Sequence, residues 1–245
     1  MGSRGRPHTL AGFALVLCSV LSLVACSLPG VNATSDAATI LGQVQKIQLK
    51  DASFNASFTG TLSKDLGGGS GTASGGGKIT TSPKRADIAL NVDVNSLQVP
   101  VEVLLDADAS DIYVTSPVVS VALGGNGMWL KLSLGGGNSG GSSTGGFSAG
   151  DFDITQILDF TQLVNVSLAG SESLDGIPVY HLKGADASSG QAATVDLYVR
   201  QDNYNPVRAN LHINLFITGN LTLDFTAINS GASIAVPSAD QILNK

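Results

Sequence analysis

Few residues of this chain could do chemistry, and their spacing does not fit the common catalytic arrangements. Its three histidines are His8, His181 and His212. The last two sit inside alternating apolar and polar runs, on the polar or mixed parity, where a solvated imidazole is the ordinary outcome. The carboxylate pairs Asp106/Asp108 and Asp151/Asp153 flank turn-like sequence, where Asp satisfies local backbone donors or caps a helix. The acidic run from Asp106 to Asp111 lacks the central glycine and closing glutamate of a helix-loop-helix calcium site. No nucleophile elbow, zinc-protease helix or paired Cys-x-x-Cys occurs. Two Gly/Ser-rich segments, 67–77 and 135–150, carry neither a phosphate-cradling nor a dinucleotide pattern, and they read as flexible hairpin loops. The expectation is a protein with no catalytic residue, no metal and no cofactor, and hence not an enzyme.

One residue does have a chemical job. Arg4, Arg6 and His8 form a basic head, followed by an uncharged apolar run over 10–25 that ends in Leu23-Val24-Ala25-Cys26. A basic head, a short apolar stretch and small residues before a cut describe a secretory signal. The apolar run is shorter than the roughly 20 residues that span a bilayer. Its final four residues resemble a bacterial lipobox, which implies removal of residues 1–25 and lipidation of Cys26. Cysteine usage agrees, because Cys18 lies within the removed segment and Cys26 is left as a lone thiol in an exported chain. Residues 26–34 then form a lipidated tether that holds the protein on the outer face of the cell membrane.

Removing 25 of 245 residues leaves 220, enough for one domain, placed at 35–245. With Arg4 and Arg6 gone, 11 basic residues face 19 acidic ones, a net charge of −8. That balance argues against nucleic acid or anionic headgroups as bulk electrostatic partners. Charged residues make up only 13% of the chain, against about 25% in an average soluble domain.

The elements follow from periodicity. Ser35 or Asp36 can cap a helix reaching about Lys46, with Ile40, Leu41, Val44 and Ile47 on one stripe. Alternation then predicts strands around Phe54–Leu62, Ile88–Val94, Val101–Leu105, Ile112–Val114 and Met128–Leu134. A second helix is expected over Asp153–Val164, with an apolar stripe that includes Ile154, Ile157, Leu158, Phe160 and Leu163. Strands near Val166–Leu174 and Ile177–Lys183 precede a long meander from Thr194 to Phe225. Ile234-Ala235-Val236-Pro237 is expected to close the sheet. The order of elements and the hairpin-length turns predict one antiparallel α+β domain.

About ten strands spaced ~4.8 Å and ~18 Å long present roughly 850 Å² of one face. Two helices of a dozen residues shield roughly 350 Å². The remaining apolar area, on the order of 500 Å², is near the upper range for an open patch on a monomer. The sheet is therefore expected to curl, to bind a partner or to hold an apolar ligand. The aliphatic lining suits acyl chains, because such a surface binds by area with little directional discrimination. Its expected wall is Phe54, Phe58, Ile88, Leu90, Val92, Met128, Leu130, Leu132, Ile157, Phe160, Val195, Leu197, Val199, Leu211, Ile213, Leu215, Leu221, Leu223 and Phe225. The competing reading is a structural or signalling envelope lipoprotein with a filled core that acts through protein contacts.

The chain resembles the LppX/LprAFG family of bacterial lipoproteins and, more distantly, the LolA/LolB lipoprotein-carrier fold. The resemblance runs from the lipobox and DAATILGQVQKIQLKDASFNASF through GMWLKLSL and ILDFTQLVNVSLAGSESLDGIPVYHLKG. It continues in TVDLYVRQDNYNPVRANLHI, with its strand, turn, Pro-Val-Arg pattern, and ends in SIAVPSADQ. It implies a curved antiparallel half-barrel with helices across its concave face, enclosing a hydrophobic cavity for acylated lipids or glycolipids. It further implies lipid transport within the envelope without chemistry. The partners expected are the membrane through the N-terminal anchor, an acylated lipid and an envelope transporter, with the protein itself a monomer. The two Gly/Ser-rich segments depart from the family pattern.

Overall fold

The computed structural model describes residues 35–62, 69–94, 97–122, 127–133, 163–186, 193–214 and 217–243. Helix α1 (Ser35–Lys46) leads into β1 (Asp51–Leu62), β2 (Gly69–Thr81), β3 (Lys84–Val94), β4 (Leu97–Asp106) and β5 (Asp111–Thr115). A short helix α2 (Pro117–Ala122) precedes β6 (Leu130–Ser133). The second run holds β7 (Leu163–Leu174), β8 (Ile177–Asp186), β9 (Ala193–Arg200), β10 (Pro206–Asn214) and β11 (Ile217–Ile228). All eleven strands form one open sheet in the order β6-β5-β4-β3-β2-β1-β11-β10-β9-β8-β7.

Two antiparallel meanders are thus joined at the centre by β1 against β11, from Ala52–Ile228 to Leu62–Ile217. Among the described residues the outermost strands are β6 and β7, which are not neighbours, so these eleven strands do not close into a barrel. Alternation sets the faces. In β3, Ala86, Ile88, Leu90 and Val92 are buried, whereas Ala89 and Asn91 are exposed. The β7–β8 turn is Asp175-Gly176 with φ of 52° and 82°, the left-handed pair that a two-residue hairpin demands. The α1 stripe forms as its spacing predicts, with Ala37, Ile40, Leu41 and Val44 all buried.

Three expectations are corrected. The segment 67–77 is not a loop from Gly69 onward, because Gly69–Thr81 pairs without interruption to β1 on one side and runs beside β3 on the other. Glycine disfavours strands on its own, but pairing on both sides supplies backbone partners that outweigh the propensity. Leu163 and Val164, expected to end a helix, instead begin β7 opposite Asp186 and Ala185. The remainder of that helix, with Ile157 and Phe160, and the Gly/Ser-rich segment 135–150 lie outside the described residues. Ile234–Pro237 adds no strand to the sheet. It leaves β11, which already has a neighbour on each side, so the chain crosses the outer face instead. There Ile234 is buried against Leu104 and Tyr113, and its carbonyl accepts a hydrogen bond from Arg85 Nη1 at 2.9 Å. Helix α2 was not anticipated, since six residues are too few to show a period.

Two carboxylates fasten this crossing and the edge. Asp51 accepts hydrogen bonds from Ser230 N (2.8 Å), Ser230 Oγ (3.1 Å) and Gly231 N (3.1 Å). Burial pushes the Asp51 carboxyl up, but backbone donors from Ala232, Gly231 and Ser230 outweigh it and hold the group below the usual range. Asp111 is likewise held low against the effect of burial, by Lys131 Nζ at 2.7 Å and Ser133 Oγ at 2.6 Å.

Candidate functional site

The expected wall residues described in β1, β3, β9, β10 and β11 share one face of the sheet. Antiparallel register places one row of side chains across nine strands: Val101, Leu90, Gly75, Ala56, Leu223, Ala209, Leu197, Leu182 and Leu168. A parallel row holds Val99, Val92, Ala73, Phe58, Leu221, Leu211 and Val195. Phe54, Phe58, Ile88, Leu90, Val92, Val195, Leu197, Val199, Leu221 and Leu223 belong to a single buried cluster, against which Leu211 and Phe225 pack. Helix α1 joins the same cluster through its apolar stripe. Among the described residues, the buried carboxylates Asp51, Asp106 and Asp111 all lie on the opposite parity. The inner face offers area and dispersion contacts without charge, the lining that an apolar ligand or a plain core would use.

Three expected residues stand apart. Met128 precedes β6 and uses its carbonyl to accept from Thr115 Oγ1 at 3.2 Å. Leu130 and Leu132 share the inner parity of Val114 and Ile112, but they lie on the edge strand, and Leu132 is 37% exposed. An edge strand has a neighbour on one side only, and sequence alternation cannot reveal that. Ile213 sits in β10, where only its backbone is described, and Leu215 and Cys26 lie outside the described residues.

Sequence reasoning also missed a set of inner-face positions because they carry almost no side chain. Gly71, Ala73, Gly75 and Gly77 occupy the inner parity of β2 between the phenylalanines of β1 and the aliphatics of β3. The rings lie over these small residues. A Cβ on Gly77 would stand 2.8 Å from the Phe54 ring, and one on Gly60 would collide with the ring of Phe58. Two aromatic rings therefore lie along the sheet, and the wall at its centre is thin. Small residues opposite large ones, at two-residue spacing, were the available signal.

The outer face is built differently. His181 Nε2 lies 2.6 Å from Asp196 Oδ1 and its Nδ1 3.0 Å from Glu172 Oε1, while the ring stacks on Tyr198 at 4.4 Å. Burial, with Asp196 and Glu172 nearby, pushes the Tyr198 hydroxyl up. Arg208, in the Pro-Val-Arg start of β10, pairs with Asp224 on β11 and reaches Asp175 at 3.4 Å. His212 Nδ1 meets Asn220 Oδ1 at 2.9 Å. His181, expected to be solvated, is a largely covered cross-strand tie, whereas His212 is exposed as expected and also bonds across to β11. Among the described residues no group of three or more His, Cys, Asp or Glu could hold a metal ion. No described helix is long and apolar enough to cross a membrane.

No family model matches the chain, and no curated protein matches it. Solved structures do, among them proteins of the kinds that the sequence resembles. The lipoprotein LppX of Mycobacterium tuberculosis is similar at 16% identity and a TM-score of 0.46, over 81% of this chain and 99% of that one. A LolA superfamily protein from Nitrosomonas europaea is similar at 18% identity and a TM-score of 0.27, over 85% and 97%. MucB is similar at 15% identity and a TM-score of 0.34, over 88% of this chain and 65% of that one.

Proposed function

We propose that this protein is a membrane-anchored lipoprotein that binds acylated lipids or glycolipids against the inner face of its sheet and carries them within the cell envelope without catalysis. Lipidated Cys26 holds it to the outer face of the bacterial cell membrane. The sheet curves so that its inner face, crossed by helices, encloses a hydrophobic cavity, and an envelope transporter loads or receives the cargo.

The observation that carries this reading is the breadth of the apolar face. One uncharged row crosses nine strands, interrupted only by the bare backbone of Gly75, and a second crosses seven. Nine strands span roughly 40 Å, and about three inner residues on each take up ~18 Å, an area on the order of 700 Å². The twelve residues of α1 make a cover only ~18 Å long and ~10 Å wide. The surplus is aliphatic and lacks charge, so it matches acyl chains rather than sugars or nucleotides.

The test is native mass spectrometry of the exported protein, before and after extraction with organic solvent. An acyl-bearing mass beyond the anchor should be present, leave on extraction and return on incubation with phospholipid. A protein that carries no such mass and rebinds none would overturn the proposal and favour a filled core acting through protein contacts.

A further inference from the structure

Helix α2 is turned inside out for a surface helix. Ser116, just before it, is 4% exposed and Ser120 is 2% exposed, whereas Val118 is 46% and Val121 73% exposed. The serines have inward work. Ser116 Oγ accepts from Val118 N at 3.2 Å, and the Ser116 carbonyl takes Ser120 N at 2.8 Å. Ser120 Oγ reaches the Met128 carbonyl at 3.5 Å. With its polar groups spent on capping and on anchoring the chain beside β6, the helix presents valine to the outside.

The exposed valines continue an apolar path. The inner parity of β4 runs Leu105, Val103, Val101, Val99 and ends at Leu97, which is 52% exposed. Thr115 pairs with Glu102, so β5 hands over to α2 beside the Leu97 end of β4, and the helix packs on that strand. Residues 97–101, 112–122 and 127–130 contain no Asp, Glu, Lys, Arg or His. The opposite end of the strands holds Lys84, Asp108, Asp175, Arg200 and Asp202 at its turns. Charges gather at the turns of one end of the sheet, whereas at the other end the inner parity is apolar up to Leu97, with Asp93 beside it on the outer parity.

We infer that Leu97, Val118 and Val121 form a docking patch for the surface of a lipid bilayer, the end through which cargo passes between membrane and inner face. This rests on the carrier reading above. The occupant follows from three features together. The tether from Cys26 to Ser35 spans at most ~30 Å, so the domain stays beside a bilayer. The patch lacks the charges that would oppose entry into the interfacial region. It also adjoins the inner face, so an acyl chain moving between bilayer and sheet would avoid open water.

The experiment uses the full-length exported protein in phosphatidylcholine vesicles, with and without dibrominated phosphatidylcholine as a quencher of tryptophan. Val121→Trp is compared with Asn203→Trp, which sits at the charged end, with native Trp129 as the shared background. Quenching of the added fluorescence at position 121 should be at least twofold that at position 203, and Val118→Asp should abolish the difference. Equal quenching, or stronger quenching at 203, overturns the docking patch. Lipid content of the same preparations separates the two claims. An unquenched 121 in a protein that still carries extractable lipid assigns the patch to another protein and leaves the carrier reading standing. A quenched 121 in a protein with no cargo supports docking and removes the carrier reading.

Discussion

The inner and outer faces of this sheet use the same strands to opposite ends. Leu197 and Asp196 are neighbours in β9, yet Leu197 is fully buried among aliphatics and Asp196 ties His181 and Lys183 across the surface. Inner contacts are non-directional, so they tolerate sliding and exchange of partners. Outer contacts are directional and pair specific residues, Arg208 with Asp224 and His181 with Glu172 and Asp196. The division teaches how one sheet can hold its register while leaving an adaptable surface. Register is secured outside, where hydrogen bonds lock positions, and the inside is free to be a lining.

That division can be broken most sharply at Leu197. Leu197→Ala removes buried methyl groups from the middle of the nine-strand row and should cost about 2–5 kcal/mol. Asp196→Ala, one residue away on a partly exposed ion pair, should cost less than about 1 kcal/mol. Urea unfolding measures both, and equal losses would erase the contrast between the faces.

Acid tests the outer fastenings next. Asp51 and Asp111 both have carboxyls held below their ordinary value, so their contribution is complete above about pH 4 and is lost as pH falls through the lowered values. Unfolding free energy should therefore be flat near neutrality and fall below about pH 4. Asp51→Asn should lose about 1–3 kcal/mol at pH 7 and show a shallower acid decline. An unchanged acid slope in this variant would mean that the Ser230–Gly231 contact does not fasten the crossing.

The thin centre gives a smaller effect. Gly77→Ala pushes a methyl against the Asp87 carbonyl oxygen at 2.7 Å and the Phe54 ring at 2.8 Å and should destabilise by about 1–2 kcal/mol. Part of that loss should be recovered in a Phe54→Leu background, as a double-mutant cycle would show. Strict additivity would mean that the ring does not lie over the glycine.

Much of the inner face was legible from alternation alone. Phe54, Phe58, Ile88, Leu90, Val92, Val195, Leu197, Val199, Leu221 and Leu223 fall together because period two assigns a side without reference to partners. The strand over Gly69–Thr81 was hidden because its stability comes from its neighbours, not from its residues. The edge position of Leu132 was hidden because strand order is not written along the chain.

What the sequence determined by itself was therefore local: the strands with clear alternation, the α1 stripe, the Asp-Gly turn and the oily parity. Each depends on residues a few positions apart. Only the tertiary structure decided that β1 and β11 meet at the centre, that glycines line the middle of the wall and that the tail straps the outer face. It alone turned α2 so that Ser120 points in and Val118 and Val121 point out. Those outcomes depend on contacts between residues as far apart as Asp51 and Ser230, and no local period records which distant backbone will supply a hydrogen bond or leave room for a ring.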